Sequence, residues 1–301
     1  MSKKKIPAEQ GRKDLLQRIK ELAVIGVCSD DLLMEALVLK GGNALDLIHH
    51  ISLRASVDVD FSMQSDFPGG LEPFRVRIEA SLTRTYAEEG LHAFDFKVTD
   101  KPEGLTEDLK SFWGGYFIEF KLVEREKARE LNGDVEAMRR QAINLGKGLK
   151  FMIDVSRFEF LDGRERHEFQ GYKVLVYSPA MILAEKLRAL CQQMAEYGPV
   201  VKRGRTGASR ARDFVDVYLL ATDASVDMTT LENRALISNM FRAKHVPLEL
   251  LKKLPDYKAF HEASFPAVLE TLKGGRKLRE FDFYFGFVVD LVAKLQPLGD
   301  V

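Results

Sequence analysis

The pattern Asp58-Val59-Asp60-Phe61 constrains this chain more than any other, because it puts two acids into an alternating apolar segment. In a β-strand, side chains at positions i and i+2 lie on the same face. The two carboxylates therefore point to one side, while Val59 and Phe61 face the core. Adjacent carboxylates repel each other unless a cation lies between them, and a divalent metal ion is the usual one. The pattern predicts a metal-binding strand.

A glycine pair, Gly41-Gly42, precedes this strand and leads into a short helical segment. Free backbone N–H groups at a helix N-terminus attract phosphate, although glycine also suits any tight turn between a strand and a helix. Combined with a metal site, a phosphate site indicates phosphoryl or nucleotidyl transfer. Asn43 could cap the helix or contact a phosphate, and capping is slightly favoured. Ser56 is a further candidate for binding the nucleotide.

The composition is that of an ordinary globular protein. The 301 residues suit one large domain or two modest ones, and equal numbers of basic and acidic residues, 45 each, give zero net charge. A uniformly basic nucleic-acid-binding coat is therefore excluded, whereas a local basic patch is not. The N-terminal residues lack the apolar region of a secretion signal, and no apolar run is long enough to cross a bilayer. We expect a cytoplasmic protein without membrane contact.

Hydrophobic periodicity predicts an α/β (mixed α+β) fold in two parts. In residues 1–177, strands and helices alternate, and we expect a mixed sheet flanked by helices. Ser178-Pro179 is a favourable helix start, with serine as the N-cap. Residues 178–301 are predicted to be a helical domain that contributes to the same site. The predicted helices of this second part span residues 179–196, 211–222, 229–241 and 281–295, and the predicted strands of the first part after Phe61 span 93–98, 116–122, 151–155 and 173–177.

Three further residues complete the predicted site. A third carboxylate is expected from a neighbouring strand, and Asp154, flanked by Ile153 and Val155, is preferred over Glu119. Lys186 falls within the apolar stripe of helix 179–196, either because its stem crosses apolar surface or because its ammonium group reaches a triphosphate. Asp213 begins the helix 211–222, where an acid is favoured by the helix dipole. It could instead orient Lys186 or a substrate hydroxyl.

A basic segment lies between Lys186 and Asp213. Residues 202–212 contain five basic side chains and no acid. Basic runs are often solvated loops, but next to a predicted site this concentration also suits a polyanion such as RNA or nucleotide phosphates. A second basic cluster follows, formed by Lys273, Arg276, Lys277 and Arg279.

Four ordered blocks between residues 35 and 222 resemble a known family. Residues 38–45 and 54–61 resemble the opening motifs of the AbiEii-type nucleotidyltransferase toxins, which belong to the DNA polymerase β-like nucleotidyltransferase superfamily. Residues 177–190 are similar to the lysine motif of that family, and residues 212–218 to its final aspartate motif. Asn43 departs from the family pattern, in which a small hydroxyl residue is common at this position.

The resemblance implies a nucleotidyltransferase-type sheet and the toxin of a bacterial toxin–antitoxin or abortive-infection pair. It implies that Asp58 and Asp60 bind Mg²⁺, that Lys186 contacts the triphosphate of an NTP and that Asp213 is catalytic. Asp154 remains the preferred third metal ligand. Relatives transfer nucleotides to RNA, in some cases to tRNA 3′ ends, and stop translation.

We therefore predict a Mg²⁺-dependent nucleotidyltransferase that moves a nucleoside monophosphate from an NTP to an RNA acceptor, with a cognate antitoxin as partner. Two alternatives stay open. One is AMP or UMP transfer to a hydroxyl group of a protein. The other is a nucleotide- or RNA-binding regulator that has lost catalysis, although the intact pair Asp58 and Asp60 argues against it.

Overall fold

The computed structural model describes residues 8–51, 58–144, 148–270 and 277–296. Ser56, the predicted nucleotide contact, lies outside these residues, and so do Lys273 and Arg276 of the second basic cluster.

One mixed sheet organises the part of the chain that the structure describes. Its strands are β1 (Val38–Lys40), β2 (Val59–Ser62), β3 (Leu91–Lys101), β4 (Gly115–Glu124), β5 (Phe151–Ser156), β6 (Arg164–Phe169) and β7 (Tyr172–Tyr177). These seven strands follow the order β3-β4-β5-β2-β1-β7-β6. β2 pairs parallel with β5 and antiparallel with β1, and β1 pairs parallel with β7.

Helices surround this sheet and fill the second half of the chain. The α-helices of the described residues are α1 (Ala8–Cys28), α2 (Asp31–Ala36), α3 (Gly41–Asn43), α4 (Leu71–Glu88), α5 (Glu107–Lys110), α6 (Arg125–Glu130), α7 (Val135–Arg140), α8 (Pro179–Gln192), α9 (Ala211–Thr222), α10 (Leu231–Ala243), α11 (Lys258–Glu262), α12 (Phe265–Leu269) and α13 (Phe281–Leu295). A π-helical segment, Ala44–Ile48, continues α3, and 3₁₀ segments span Ala195–Val201 and Leu248–Tyr257. None of the helices in the described ranges is long and apolar enough to cross a membrane.

The core follows from the alternation in the strands. In β5, Phe151, Ile153 and Val155 are buried, whereas the residues between them are partly exposed. Helices α1 and α4 pack against each other and against the sheet, while α8 packs against β7, α9 and α10. Hydrophobic residues from α1 to α13 belong to the same buried cluster, so the two predicted parts share a core.

The α/β fold class is confirmed, and the differences from the prediction have physical reasons. Ser178 Oγ accepts the Met181 N–H at 3.3 Å and starts α8 as expected. β6 was not predicted, because its sequence is almost entirely polar and its side chains are exposed or half-buried. The charged segment after β4 forms two short helices, which Asn132 and Gly133 separate by taking left-handed backbone conformations.

Candidate active site

Asp60 and Asp154 lie side by side on two central strands of the sheet. β2 and β5 run parallel, and their register pairs Asp60 with Asp154. Residues paired in this way present their side chains to the same face. Asp58 precedes β2 and is exposed. These three acids line the same cavity, whose volume is about 480 Å³.

Other parts of the cavity wall come from the second half of the chain. Glu185 and Lys186 of α8 line it, together with Arg210 and Arg212 at the start of α9. The structure therefore brings Lys186, which is distant in sequence, to the cavity that the acids of β2 and β5 line.

The acids of the cavity affect one another electrostatically. Burial of the carboxyl group is the main cause that raises the pKa of Asp60 to about 6. The Lys40 ammonium group opposes this shift, whereas Asp154, Glu185 and Asp58 add to it through charge repulsion. Such a concentration of negative charge is what a divalent cation neutralises.

Of the two candidates for the third carboxylate, Asp154 lines the cavity and Glu119 does not. The Glu119 carboxylate lies on β4 and accepts from Lys150 Nζ at 2.9 Å. Asp154 forms an ion pair with Lys101 at the end of β3, and this lysine Nζ lies 4.7 Å from the centre of the Phe117 ring. The positive charge of the Lys101 ammonium group therefore lies next to the Asp154 carboxylate.

Gly41 brings the backbone of the turn after β1 into contact with Asp60. Its φ of +67° lies in the left-handed region, and a Cβ added here would lie 2.9 Å from Asp60 Oδ2. An L-residue with a side chain is disfavoured in both respects. Gly42 also lines the cavity. The glycine pair thus permits a close approach between the turn and the acidic strand.

Asn43 stabilises the segment that carries Asp58. Its side chain makes no capping hydrogen bond to the helix, which differs from the slightly favoured expectation. Instead it is fully buried, and its Nδ2 donates to the Asp58 carbonyl oxygen. The Asn43 side chain is not part of the cavity lining. The sequence did not reveal this contact, because the two residues are 15 positions apart and no periodic pattern links them.

Lys186 is positioned by two acids of α9. Its Nζ lies 3.0 Å from Asp213 Oδ1 and 2.6 Å from Asp216 Oδ2. Burial by itself would raise the pKa of Asp213, but Arg210 and Lys186 hold it well below its usual range. Asp213 is fully buried and does not line the cavity. The sequence left several roles open for Asp213, and the structure shows one of them, the contact with Lys186.

Sequence reasoning missed Lys40 and Glu185, which form an ion pair in the cavity lining. Lys40 Nζ donates to Glu185 Oε1 at 2.8 Å and to Ser156 Oγ at 3.0 Å. Lys40 also lies opposite Asp60 in the register of β1 and β2. Both residues directly precede residues that the motifs single out, Gly41 and Lys186, and this adjacency was the available signal.

A buried charge network centred on Glu159 adjoins this pair. Arg188 donates to Glu159 at 2.7 Å, and Lys244 Nζ lies 3.5 Å from the same carboxylate. Burial would raise the pKa of Glu159, but these cations lower it to about 2. Burial lowers the pKa of Lys244 to about 8. All three side chains line the cavity, although no local sequence pattern links them.

The basic segment 202–212 divides into an anchored part and a part that faces the cavity. Lys202 forms an ion pair of 2.7 Å with an acid of α5, and Arg203 donates to two backbone carbonyls, one at the end of α8 and one just after it. Arg210 and Arg212 line the cavity, and the Arg212 side chain is about half exposed. The two arginines of this segment therefore add positive charge to the cavity wall.

Paired acids on a mixed sheet, a glycine turn against them and a helix-borne lysine at the same cavity are features of a nucleotidyltransferase. The family model described as "Nucleotidyl transferase AbiEii toxin, Type IV TA system" matches residues 26–286. The chain belongs to this family of nucleotidyltransferase toxins of type IV toxin–antitoxin systems, and the resemblance of its motifs is confirmed.

Solved structures that match most of this chain include three proteins. JHP933 from Helicobacter pylori is 15% identical, with 96% of this chain and 94% of that chain covered and a TM-score of 0.46. A putative nucleotidyltransferase from H. pylori is 15% identical, with 98% and 99% covered and a TM-score of 0.44. MenT4, a nucleotidyltransferase toxin from Mycobacterium tuberculosis, is 16% identical, with 97% and 87% covered and a TM-score of 0.46. A comparison with curated proteins found no match.

Proposed function

We propose that this protein transfers a nucleoside monophosphate from an NTP to an RNA hydroxyl group, such as that of a tRNA 3′ end, in a Mg²⁺-dependent reaction in the cytoplasm. The observation that carries this proposal is the convergence of Asp58, Asp60, Asp154 and Lys186 on one cavity. Family membership supplies the transfer chemistry and the antitoxin partner.

The donor set of the cavity fits Mg²⁺. Asp58, Asp60 and Asp154 offer carboxylate oxygens, the ligands that this hard cation prefers. Charge repulsion from Asp154, Glu185 and Asp58 adds to the raised pKa of Asp60, which is mainly caused by burial, and indicates that negative charge is concentrated there. When bound, the metal would neutralise the triphosphate and lower the pKa of the attacking hydroxyl group.

Protein side chains orient the reactants around this centre. Lys186 supplies a point charge for the phosphates, and its ion pairs with Asp213 and Asp216 keep its ammonium group in place. Gly41 leaves space for the turn to lie against Asp60. Catalysis then depends on positioning and charge neutralisation, without a covalent enzyme intermediate.

An RNA acceptor is supported by the charge at the cavity. Arg212 is about half exposed at the lining, and Arg205 of the same basic segment is exposed. Exposed arginines on one segment suit the phosphates of an RNA chain. Nothing comparable is required for recognition of a single hydroxyl group on a protein.

The decisive experiment incubates the protein with each labelled NTP and total RNA. We expect label in a product that resists protease and is degraded by ribonuclease. Asp58→Ala should remove this labelling, whereas Glu119→Gln, which changes an acid outside the cavity lining, should retain it. Equal labelling by the wild type and Asp58→Ala would overturn the assignment.

The same experiment separates the alternatives. Label that is removed by protease and survives ribonuclease would indicate AMP or UMP transfer to a protein. NTP binding without labelled product, together with a cellular effect that survives Asp60→Asn, would indicate a regulator without catalysis.

A further inference from the structure

Three side chains of types that can bind metal ions lie close together at a second place, outside the lining of the cavity. Ligand atoms of His49, Glu165 and His167 all lie within 4.8 Å of one another. Their residues are half-buried, and none of them lines the cavity. Two imidazoles and a carboxylate form a different donor set from the acids of the cavity.

The topology of the sheet creates this cluster. Glu165 and His167 are two residues apart on the edge strand β6, so their side chains share a face. His49 directly follows the π-helical segment that begins after Asn43. The rings of His49 and His167 lie edge to face, with their centroids 5.6 Å apart. A helix end and an edge strand thus contribute ligands to one position.

Hydrogen bonds prepare His49 for a metal ion. Its Nε2 lies 2.8 Å from the Tyr177 carbonyl oxygen, which can only accept a hydrogen bond. Nε2 therefore carries the proton, and Nδ1 keeps its lone pair. A backbone carbonyl behind the second ring nitrogen is the usual support of a metal-binding histidine. Burial lowers the pKa of His49, which favours the neutral, ligating form of the ring.

The other two ligands are already in contact. His167 Nε2 lies 2.8 Å from Glu165 Oε2, so a hydrogen bond already holds these two ligand atoms close together. Metal ions bind neutral imidazole and ionised carboxylate, and a bound ion would take the place of this hydrogen bond.

We propose that His49, Glu165 and His167 form a Zn²⁺ site with water as the fourth ligand. Two histidines, one glutamate and water match a common zinc coordination, and imidazole ligands disfavour Mg²⁺. The bound ion would link the end of the helical segment, where His49 lies, to the edge strand β6. Tyr177 of the neighbouring strand β7 precedes Ser178 and α8. This site does not depend on the proposed transfer reaction.

The test is a titration of the full chain with ZnCl₂ in the presence of saturating Mg²⁺, with binding and the melting temperature measured by calorimetry. We expect one Zn²⁺ per chain and a higher melting temperature with Zn²⁺. Loss of a residue that only supports a metal ligand weakens metal binding by about 10–100-fold. His167→Ala removes a ligand itself and should weaken Zn²⁺ binding by at least as much. His92→Ala, a half-buried histidine on β3 outside the cluster, is the matched control and should bind like the wild type.

Co²⁺ spectroscopy supplies an independent readout. Four-coordinate Co²⁺ absorbs visible light strongly, whereas six-coordinate Co²⁺ in an all-oxygen site absorbs weakly. We expect the strong bands in the wild type and in His92→Ala, and their loss in His167→Ala. If His167→Ala does not fold, Glu165→Gln replaces it. Zn²⁺ affinity and bands that are unchanged in the ligand variants, or weak bands in the wild type, would overturn the proposal.

Discussion

Asp60 is a carboxyl group whose protonation would compete with metal binding. Burial, together with Asp154, Glu185 and Asp58, raises its pKa to about 6 against the opposing effect of Lys40. A metal ion binds the ionised form, so a proton competes with it below that pH. We expect the apparent Mn²⁺ affinity to fall up to about tenfold per pH unit below 6. Above that pH it should level off, as measured by electron paramagnetic resonance.

The control for this pH dependence is Asp60→Asn, which removes the titrating group and keeps its size. Its residual Mn²⁺ affinity should be weaker and nearly independent of pH around 6. A slope that persists in Asp60→Asn would assign the proton to another acid of the cavity.

Lys101 gives a second prediction at this scale, because its ammonium group pairs with Asp154 and would compete with a metal ion for this carboxylate. Lys101→Met should strengthen Mn²⁺ binding by at most about tenfold, since Lys101 is about half exposed and its charge is partly screened. Lys150→Met is the matched control, because Lys150 is equally exposed and pairs with Glu119. A gain in Lys150→Met and none in Lys101→Met would identify Glu119 as the third ligand instead.

The turn formed by α3 links backbone conformation to the acidic strand. Gly41→Ala must adopt a left-handed conformation, at a cost of roughly 1–2 kcal/mol, and its Cβ would press on Asp60 Oδ2. Gly90→Ala is the control, since Gly90 has a φ of +74° and no atom within 4 Å of an added Cβ. We expect similar losses of stability in the two variants. A displaced Asp60 should slow transfer by roughly 10–100-fold in Gly41→Ala alone.

The contact between α8 and α9 depends on buried charge. Asp213→Asn removes the fully buried counter-charge of Arg210 and one of the two acids that pair with Lys186. Breaking a buried ion pair costs about 3–5 kcal/mol, so we expect a lower urea midpoint together with lost activity. Asp223→Asn, at the exposed end of α9, should change the free energy of unfolding by less than about 0.5 kcal/mol. An Asp213→Asn variant as stable as the wild type would contradict this account.

Elements with a local signal were predicted from the sequence, and contacts between elements were not. The bounds of α9 and α13 agree with the prediction, because a 3.6-residue apolar period marks both helices. The polar strand β6 lacks an apolar face and was missed. Within the candidate site, Lys40 and Glu185 were missed because burial of a charged side chain depends on partners far away in the sequence.

At the scale of the whole molecule, zero net charge conceals an uneven distribution. Basic side chains of α8, α9 and the segment 202–212 line the cavity, together with acids that include Asp60 of β2 and Asp154 of β5. An RNA acceptor would release counterions as it binds such a surface. Its binding should therefore weaken as salt increases, even though the chain is neutral overall.

Arg212 tests this distribution most directly, because it is exposed at the cavity and has a weak ion pair of 3.9 Å with Asp213. Arg212→Ala should weaken RNA binding uniformly across sequences and reduce the slope of log K against log salt by about one. Arg129→Ala, an exposed arginine on α6 outside the cavity lining, is the control and should keep the wild-type slope. Fluorescence anisotropy with labelled RNA at several salt concentrations measures both. Equal slopes in the two variants would mean that Arg212 contacts no phosphate and that the RNA follows another surface.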